Sequence, residues 1–229
     1  MDGMIETSIS NYDAVERISE VKRGEVVMTT TTTKKALFST RELVIIGLFS
    51  ALAYVLMLLE SPGYLGFLRI EFSDVPAILG GLGFGPGAGV FIELIKNLLK
   101  VLSTKTIGAG EIANFIVGSA YVLPLSIIYR KTKKKHKLLV GYIAGIVGMC
   151  AAGMIVNYFI TLPLYSNMFG GVEALIDTVA GLTPGFLPQI NSLWKIILIG
   201  ITPFNVVKGI LIAIVSYYVF KLVKKPLQF

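Results

Sequence analysis

The chain of 229 residues is 54% hydrophobic and only 15% charged, with a mean hydropathy of +0.75. Soluble domains carry roughly 25% charged residues, so the composition excludes a soluble globular protein and indicates an integral membrane protein. The net charge of +7 comes from lysines and arginines in short runs beside apolar segments, the pattern of cytoplasmic membrane loops and not of a nucleic-acid surface. A single cysteine, Cys150, and a single histidine, His136, exclude an intramolecular disulfide and a Cys/His metal centre.

Residues 1–36 are polar and mixed in charge, with a threonine run from Thr29 to Thr33, and hold too little apolar area to order themselves. A disordered cytoplasmic tail is expected there, followed by a transmembrane domain over 37–229. The tail lacks the compact apolar core of a signal peptide, so the first hydrophobic segment should stay as an uncleaved anchor, and Met28 is an alternative start. A spanning helix needs about 20 mostly apolar residues, which places helices near 42–59, 75–85, 87–103, 109–129, 138–162 and 198–222. The fold class is therefore all-α membrane protein, with six transmembrane helices. Six crossings put both termini on one side. Lys34, Lys35 and Arg41 before helix 1, Arg130 to Lys137 between helices 4 and 5, and Lys221, Lys224 and Lys225 after helix 6 then share a face, which the positive-inside rule makes the cytoplasm. A second helix too short to cross would split these clusters between the two faces.

The loops from Glu60 to Ser73 and from Leu164 to Lys195 face outside under this topology. Both carry apolar and aromatic residues, among them Tyr64, Phe67, Phe169, Phe186 and Trp194, with glycines and prolines that suit a lid over the mouth of the bundle. Between them the stretch from Phe67 to Lys100 folds back on itself. Asp74 puts a carboxylate near first-turn N–H groups, Pro76 needs no early donor, and Gly83 to Gly89 with Pro86 make a tight reversal. In the second arm Glu93, Lys96, Asn97 and Lys100 fall on one helical face. Glu93 and Lys96 suit an i,i+3 ion pair.

Polar groups inside a membrane are costly and usually face the bundle interior. Asn157 in the outer third of helix 5, Asn205 in the outer half of helix 6, and Glu111 with Asn114 in the outer turns of helix 4 share roughly one level, with Lys208 one turn below Asn205 and Lys96 and Asn97 at comparable depth. The pattern describes an externally open, polar-lined pocket, although asparagines also serve simply to tie membrane helices together. Lys208 has no carboxylate on its own helix and needs a partner, either a ligand or a residue such as Glu111 or Glu93. Tyr158, Phe159, Tyr165 and Phe204 lie near the same level, and Phe186 can reach it from the outer loop; those flanking Asn157 and Asn205 suit stacking on a flat ring. On helix 1, Gly47 and Ala51 form a small-xxx-small pair with Ala53 close by, suited either to a partner helix or to packing within the bundle. There is no GxxxxGK[ST], HExxH or GxSxG motif, so no catalytic residue is assigned and any energy must come from other chains.

The segment FSDVPAILGGLGFGPGAGVFIELIKNLL from Phe72 to Leu99, with NYF at Asn157 to Phe159 and PFNVVKG at Pro203 to Gly209, resembles the riboflavin-specific substrate-binding (S) components of energy-coupling-factor transporters. The resemblance spans nearly all of 40–222. It implies an S-component fold in a prokaryotic cell membrane, capturing riboflavin from outside and associating with a transmembrane coupling subunit and two cytoplasmic ATPases. Riboflavin would be the transported ligand and no cofactor is implied. Asn157, Asn205 and Lys208 would hydrogen-bond it, joined in the site by Asn114, Phe67 and Leu68, with the loop between helices 1 and 2 closing over it. Gly47 and Ala51, with Ala53, match the place of the family's AxxxA coupling motif, with glycine for the first alanine. Riboflavin is uncharged and flat with a polyhydroxylated chain, so amides and stacking surface suit it. Another vitamin or a flavin nucleotide is the alternative within transport; a membrane enzyme using Glu93, Lys96 and Glu111 on a lipid is the alternative outside it.

Overall fold

The structure is a computed structural model, which describes residues 15–22, 25–32, 37–104, 108–133, 135–185 and 187–225. The chain divides into two units, Met1–Leu43 and Val44–Phe229. In the first, β1 (Val15–Lys22) and β2 (Glu25–Thr32) pair antiparallel in register from Val15 opposite Thr32 to Lys22 opposite Glu25. The tail expected to be disordered thus contains a hairpin in which β-branched valines, isoleucine and threonines favour extended backbone. Two strands alone are marginal in water.

The described remainder is helical: α1 (Thr40–Leu58), α2 (Asp74–Phe84), α3 (Pro86–Val101), α4 (Ala109–Lys131), α5 (Lys137–Phe169), α6 (Val172–Leu182) and α7 (Leu193–Val223). Four of them, α1, α4, α5 and α7, are long and apolar enough to cross a membrane, while α2 has 11 residues and α3 has 16. The α1 start is a capping box: Glu42 N–H donates to Ser39 Oγ at 3.3 Å and Ser39 N–H to Glu42 Oε2 at 2.7 Å. The inward stripe of α1 is Ile46, Ser50, Ala53 and Met57.

Helix α2 is the centre of the bundle, buried at every position from Asp74 to Leu82, with α3, α4 and α7 packed around it. It ends at Gly85, whose φ of 113° is open to glycine, and Pro86 then starts α3. The reversal is the one expected. Asp74 is not used as expected, because its carboxylate bonds to lysines and not to the first-turn N–H groups.

Helices α5 and α7 outrun the expected ranges. Pro163 and Pro203 would each break an α-helix by removing a donor and crowding the carbonyl four residues back. Instead the chain widens just before each proline, into π-helical turns at Asn157–Thr161 and Ile196–Ile201. Leu162 N–H then bonds to Asn157 O, and Thr202 N–H to Ile197 O. The helix survives the proline, so α5 continues into what was expected to be loop, and α6 forms a further helix there. Phe186, together with Lys34, Lys35 and Lys134 of the basic clusters, lies outside the described residues.

Helix α4 binds to both long neighbours through Tyr121. Its fully buried ring lies against Gly145 of α5, and its hydroxyl donates to Gly209 O of α7 at 2.9 Å. A Cβ at Gly145 would press on the ring and come within 2.9 Å of Tyr121 O. Gly145→Ala should therefore destabilise the bundle by about 1–3 kcal/mol, read as a lower thermal midpoint in detergent; an unchanged midpoint would contradict this packing.

Candidate functional site

A cavity of about 370 Å³ opens between α4, α5 and α7 and the loop joining α1 to α2. All six residues expected at a ligand site, Asn157, Asn205, Lys208, Asn114, Phe67 and Leu68, line it, as do Glu111, Tyr165 and Phe204. Asn157 and Asn205 converge on one glycine. Asn157 Nδ2 donates to Gly153 O at 2.7 Å, and the Asn205 amide lies where a Gly153 Cβ would be. Asn157 also begins the π-helical turn of α5, and Asn205 follows that of α7, so both amides stand at irregular turns of the kind common at functional sites.

The loop from residue 59 to 73 forms the cavity's cover and part of its floor. Tyr64 and Leu68 exchange backbone hydrogen bonds at 2.6 and 2.9 Å, making a small turn with Leu65 at φ 51°. That left-handed conformation costs about 1–2 kcal/mol for a residue with a side chain. Burial offsets it, since Leu65 packs with Leu175 and Val179 of α6 and Ile196, Ile197 and Ile201 of α7. Phe67 meets Tyr165 edge-on with ring centroids 5.3 Å apart, and Tyr64 stacks on Phe204 at 6.1 Å.

The floor is charged. Lys208 Nζ lies 2.6 Å from Glu71 Oε1 and 3.6 Å from Asp74 Oδ2. Asn114 Nδ2 also donates to Glu71 Oε1, at 3.4 Å, and Ser73 N–H donates to Glu71 Oε2 at 2.6 Å. Behind them, Lys96 Nζ bonds to Asp74 Oδ1, donates to Ser73 Oγ at 2.7 Å and lies 2.9 Å from Glu93 Oε2. Burial opposes the charge on Glu71, but Lys208 and Lys96 outweigh it and hold the carboxyl below the usual carboxylate range.

Several expectations need correction. The partners of Lys208 are Glu71 and Asp74, not Glu111 or Glu93, because the α1–α2 loop descends to the floor instead of only covering the mouth. Lys96 and Asn97 lie behind the cavity wall, where Lys96 serves the carboxylates and Asn97 Nδ2 donates to Glu93 O at 2.8 Å. Tyr158 turns away to stack on Trp194 at 4.5 Å, and Phe159 is exposed on the outside of the bundle. On α1, Gly47 and Ala51 are exposed, but Ala53 is fully buried on the adjoining inward face and is not available to a partner helix. Glu71 is the residue missed entirely. Its only sequence signal was an acid three residues before a buried helix.

A buried ion pair stripped of one member leaves an uncompensated charge, at a cost of about 3–5 kcal/mol. Lys208→Met should lower the thermal midpoint of ligand-free protein accordingly, and adding Glu71→Gln should restore part of the loss. Additive losses would show that the two side chains do not interact.

Residues 41–220 match the family ECF transporter, substrate-specific component. Similar proteins include the riboflavin transporter FmnP of Bacillus subtilis, 36% identical over 79% of this chain and 90% of that one. The riboflavin transporter RibU of Staphylococcus aureus is also 36% identical, over 79% of this chain and 89% of its own length. Among solved structures, one described as the S component of a bacterial ECF transporter superposes with a TM-score of 0.64 at 31% identity, covering 82% of this chain and 98% of that one. With the family match running from the start of α1 almost to the end of α7, the chain belongs to the substrate-specific components of ECF transporters.

Proposed function

We propose that this chain captures riboflavin from the outer face of a prokaryotic plasma membrane, as the substrate-binding subunit of an ATP-driven uptake transporter, and performs no chemistry on it. The observation that carries the reading is the cavity itself: about 370 Å³, with the Asn157 and Asn205 amides on one side and Phe67, Tyr165 and Phe204 on others, in a chain 36% identical to named riboflavin transporters. That volume falls in the range of about 300–1,000 Å³ typical of small-molecule sites. Amides offer donors and acceptors to the imide edge of a flavin, and aromatic rings offer it a face. Asn157, Asn205, Lys208 and Asn114 would make the polar contacts, and Phe67 and Leu68 would cover the ligand.

On this reading residues 1–36 form a cytoplasmic N-terminal tail and residues 37–229 the six-helix vitamin-binding domain. The membrane topology is six crossings with both termini in the cytoplasm. Supporting this, the turn at Gly85 between α2 and α3 lies beside the guanidinium of Arg130, in the basic cluster that the charge rule puts inside. The short α2 and α3 then go in and out as a pair. Energy would come from a transmembrane coupling subunit and two ATPase subunits. The exposed Gly47 and Ala51 of α1, where a Cβ at Gly47 would meet nothing within 4 Å, give a partner helix close access.

The experiment is the absorption spectrum of detergent-purified protein, followed by a riboflavin titration monitored through flavin and Trp194 fluorescence. A flavin spectrum or saturable quenching is expected, and Asn205→Leu should weaken binding by about 10–100-fold through lost hydrogen bonds. A colourless protein that ignores riboflavin would leave the family membership and remove the ligand.

A further inference from the structure

Among the described residues, each cation lining the cavity is already held by a carboxylate. On the floor Lys208 serves Glu71 and Asp74. At the mouth a single carboxylate, Glu60, takes two cations, with Arg69 Nη1 at 3.4 Å and Lys100 Nζ at 3.8 Å. Glu111, the fourth acid of the described wall, accepts from Thr104 Oγ1 at 2.9 Å. Among the described lining residues the four acids outnumber the three bases.

A phosphate group carries a charge of about −1.5 to −2 at neutral pH. In this cavity it would find no uncommitted cation among the described residues, and it would have to displace a carboxylate or sit near one in a setting where charges are poorly screened. A neutral hydroxyl chain incurs no such cost. We propose that Glu60 and Glu71 are specificity-determining residues which, by occupying the cavity's cations, make it select the uncharged vitamin over its phosphate ester. Glu60 acts at the entrance, where the ligand first meets Arg69 and Lys100. Glu71 acts at the base, where it neutralises the Lys208 ammonium that a bound ligand meets. Asp74 is the weaker determinant, since it also serves Lys96 and lies farther from Lys208.

The assignment rests on the riboflavin reading, and the test separates the two. Riboflavin and riboflavin 5′-phosphate are titrated into the detergent-purified full chain, as wild type, Glu60→Gln and Glu71→Gln. Glutamine keeps the shape and an acceptor oxygen but releases the cations. Wild type should prefer riboflavin, and each variant should raise the affinity for the phosphate ester relative to riboflavin by about tenfold, a gain that shrinks at high salt. A purely structural role would weaken both ligands together and leave their ratio unchanged. An unchanged ratio in a folded variant overturns the assignment of that residue, and equal binding of both ligands by wild type overturns the charge filter as a whole. Glu60, at the end of a helix and partly exposed, carries the test if Glu71→Gln fails to fold. Wild-type protein that binds neither flavin overturns the riboflavin reading instead.

Discussion

Two lysines and three carboxylates buried at the heart of the bundle determine how its parts must meet. Lys96 on α3 and Lys208 on α7 are satisfied only if α2 brings Asp74 between them and the α1–α2 loop brings Glu71 down beside Lys208. Removing one ion from such a group leaves several kcal/mol of uncompensated charge, so a slip of α2 against α7 is expensive in a way that apolar packing alone would not make it. The network therefore couples the position of the loop to the position of the helices. The cover of the cavity is fastened at its charged base as well as at its greasy tip, where Leu65 accepts a left-handed backbone to stay in the apolar cluster.

Above this floor the site is made by close approach. Gly153 has no side chain, and the space is taken by the Asn205 amide from α7, while its carbonyl accepts from Asn157 one turn later on the same helix. Two helices thus meet at a small patch of amide groups in which Asn157 is held by the Gly153 carbonyl and Asn205 is packed against Gly153 before any ligand arrives. Preorganised groups of this kind lose less freedom on binding, which favours tight capture.

Much of this was legible in the chain. The glycine–proline reversal, the level shared by Asn114, Asn157 and Asn205, and the anomaly of an intramembrane Lys208 all followed from periodicity and the cost of burying polar groups. The partner of Lys208 was not legible, because Glu71 sits in a loop whose path depends on tertiary contacts. The outer ends of α5 and α7 were misjudged for a different reason: proline predicts a break, and the wider turns that absorb Pro163 and Pro203 have no local sequence signal. Aromatic residues were the least predictable. Tyr158 is adjacent to Asn157 yet points elsewhere, since neighbours in a helix face directions about 100° apart.

Those wider turns also separate what each long helix does along its length. Below them α5 and α7 run as regular α-helix through the bundle, with Tyr121 and Gly209 setting their spacing to α4. Beyond its turn α5 carries Tyr165, while the turn of α7 itself holds Ile196, Ile197 and Ile201, which receive Leu65. A turn that closes over five residues instead of four carries the following segment round by a different angle, so the outer segments are indexed independently of the inner ones. Gaining or losing a residue at either of these two turns would then reshape the entrance while the regular helices of the bundle stay in register.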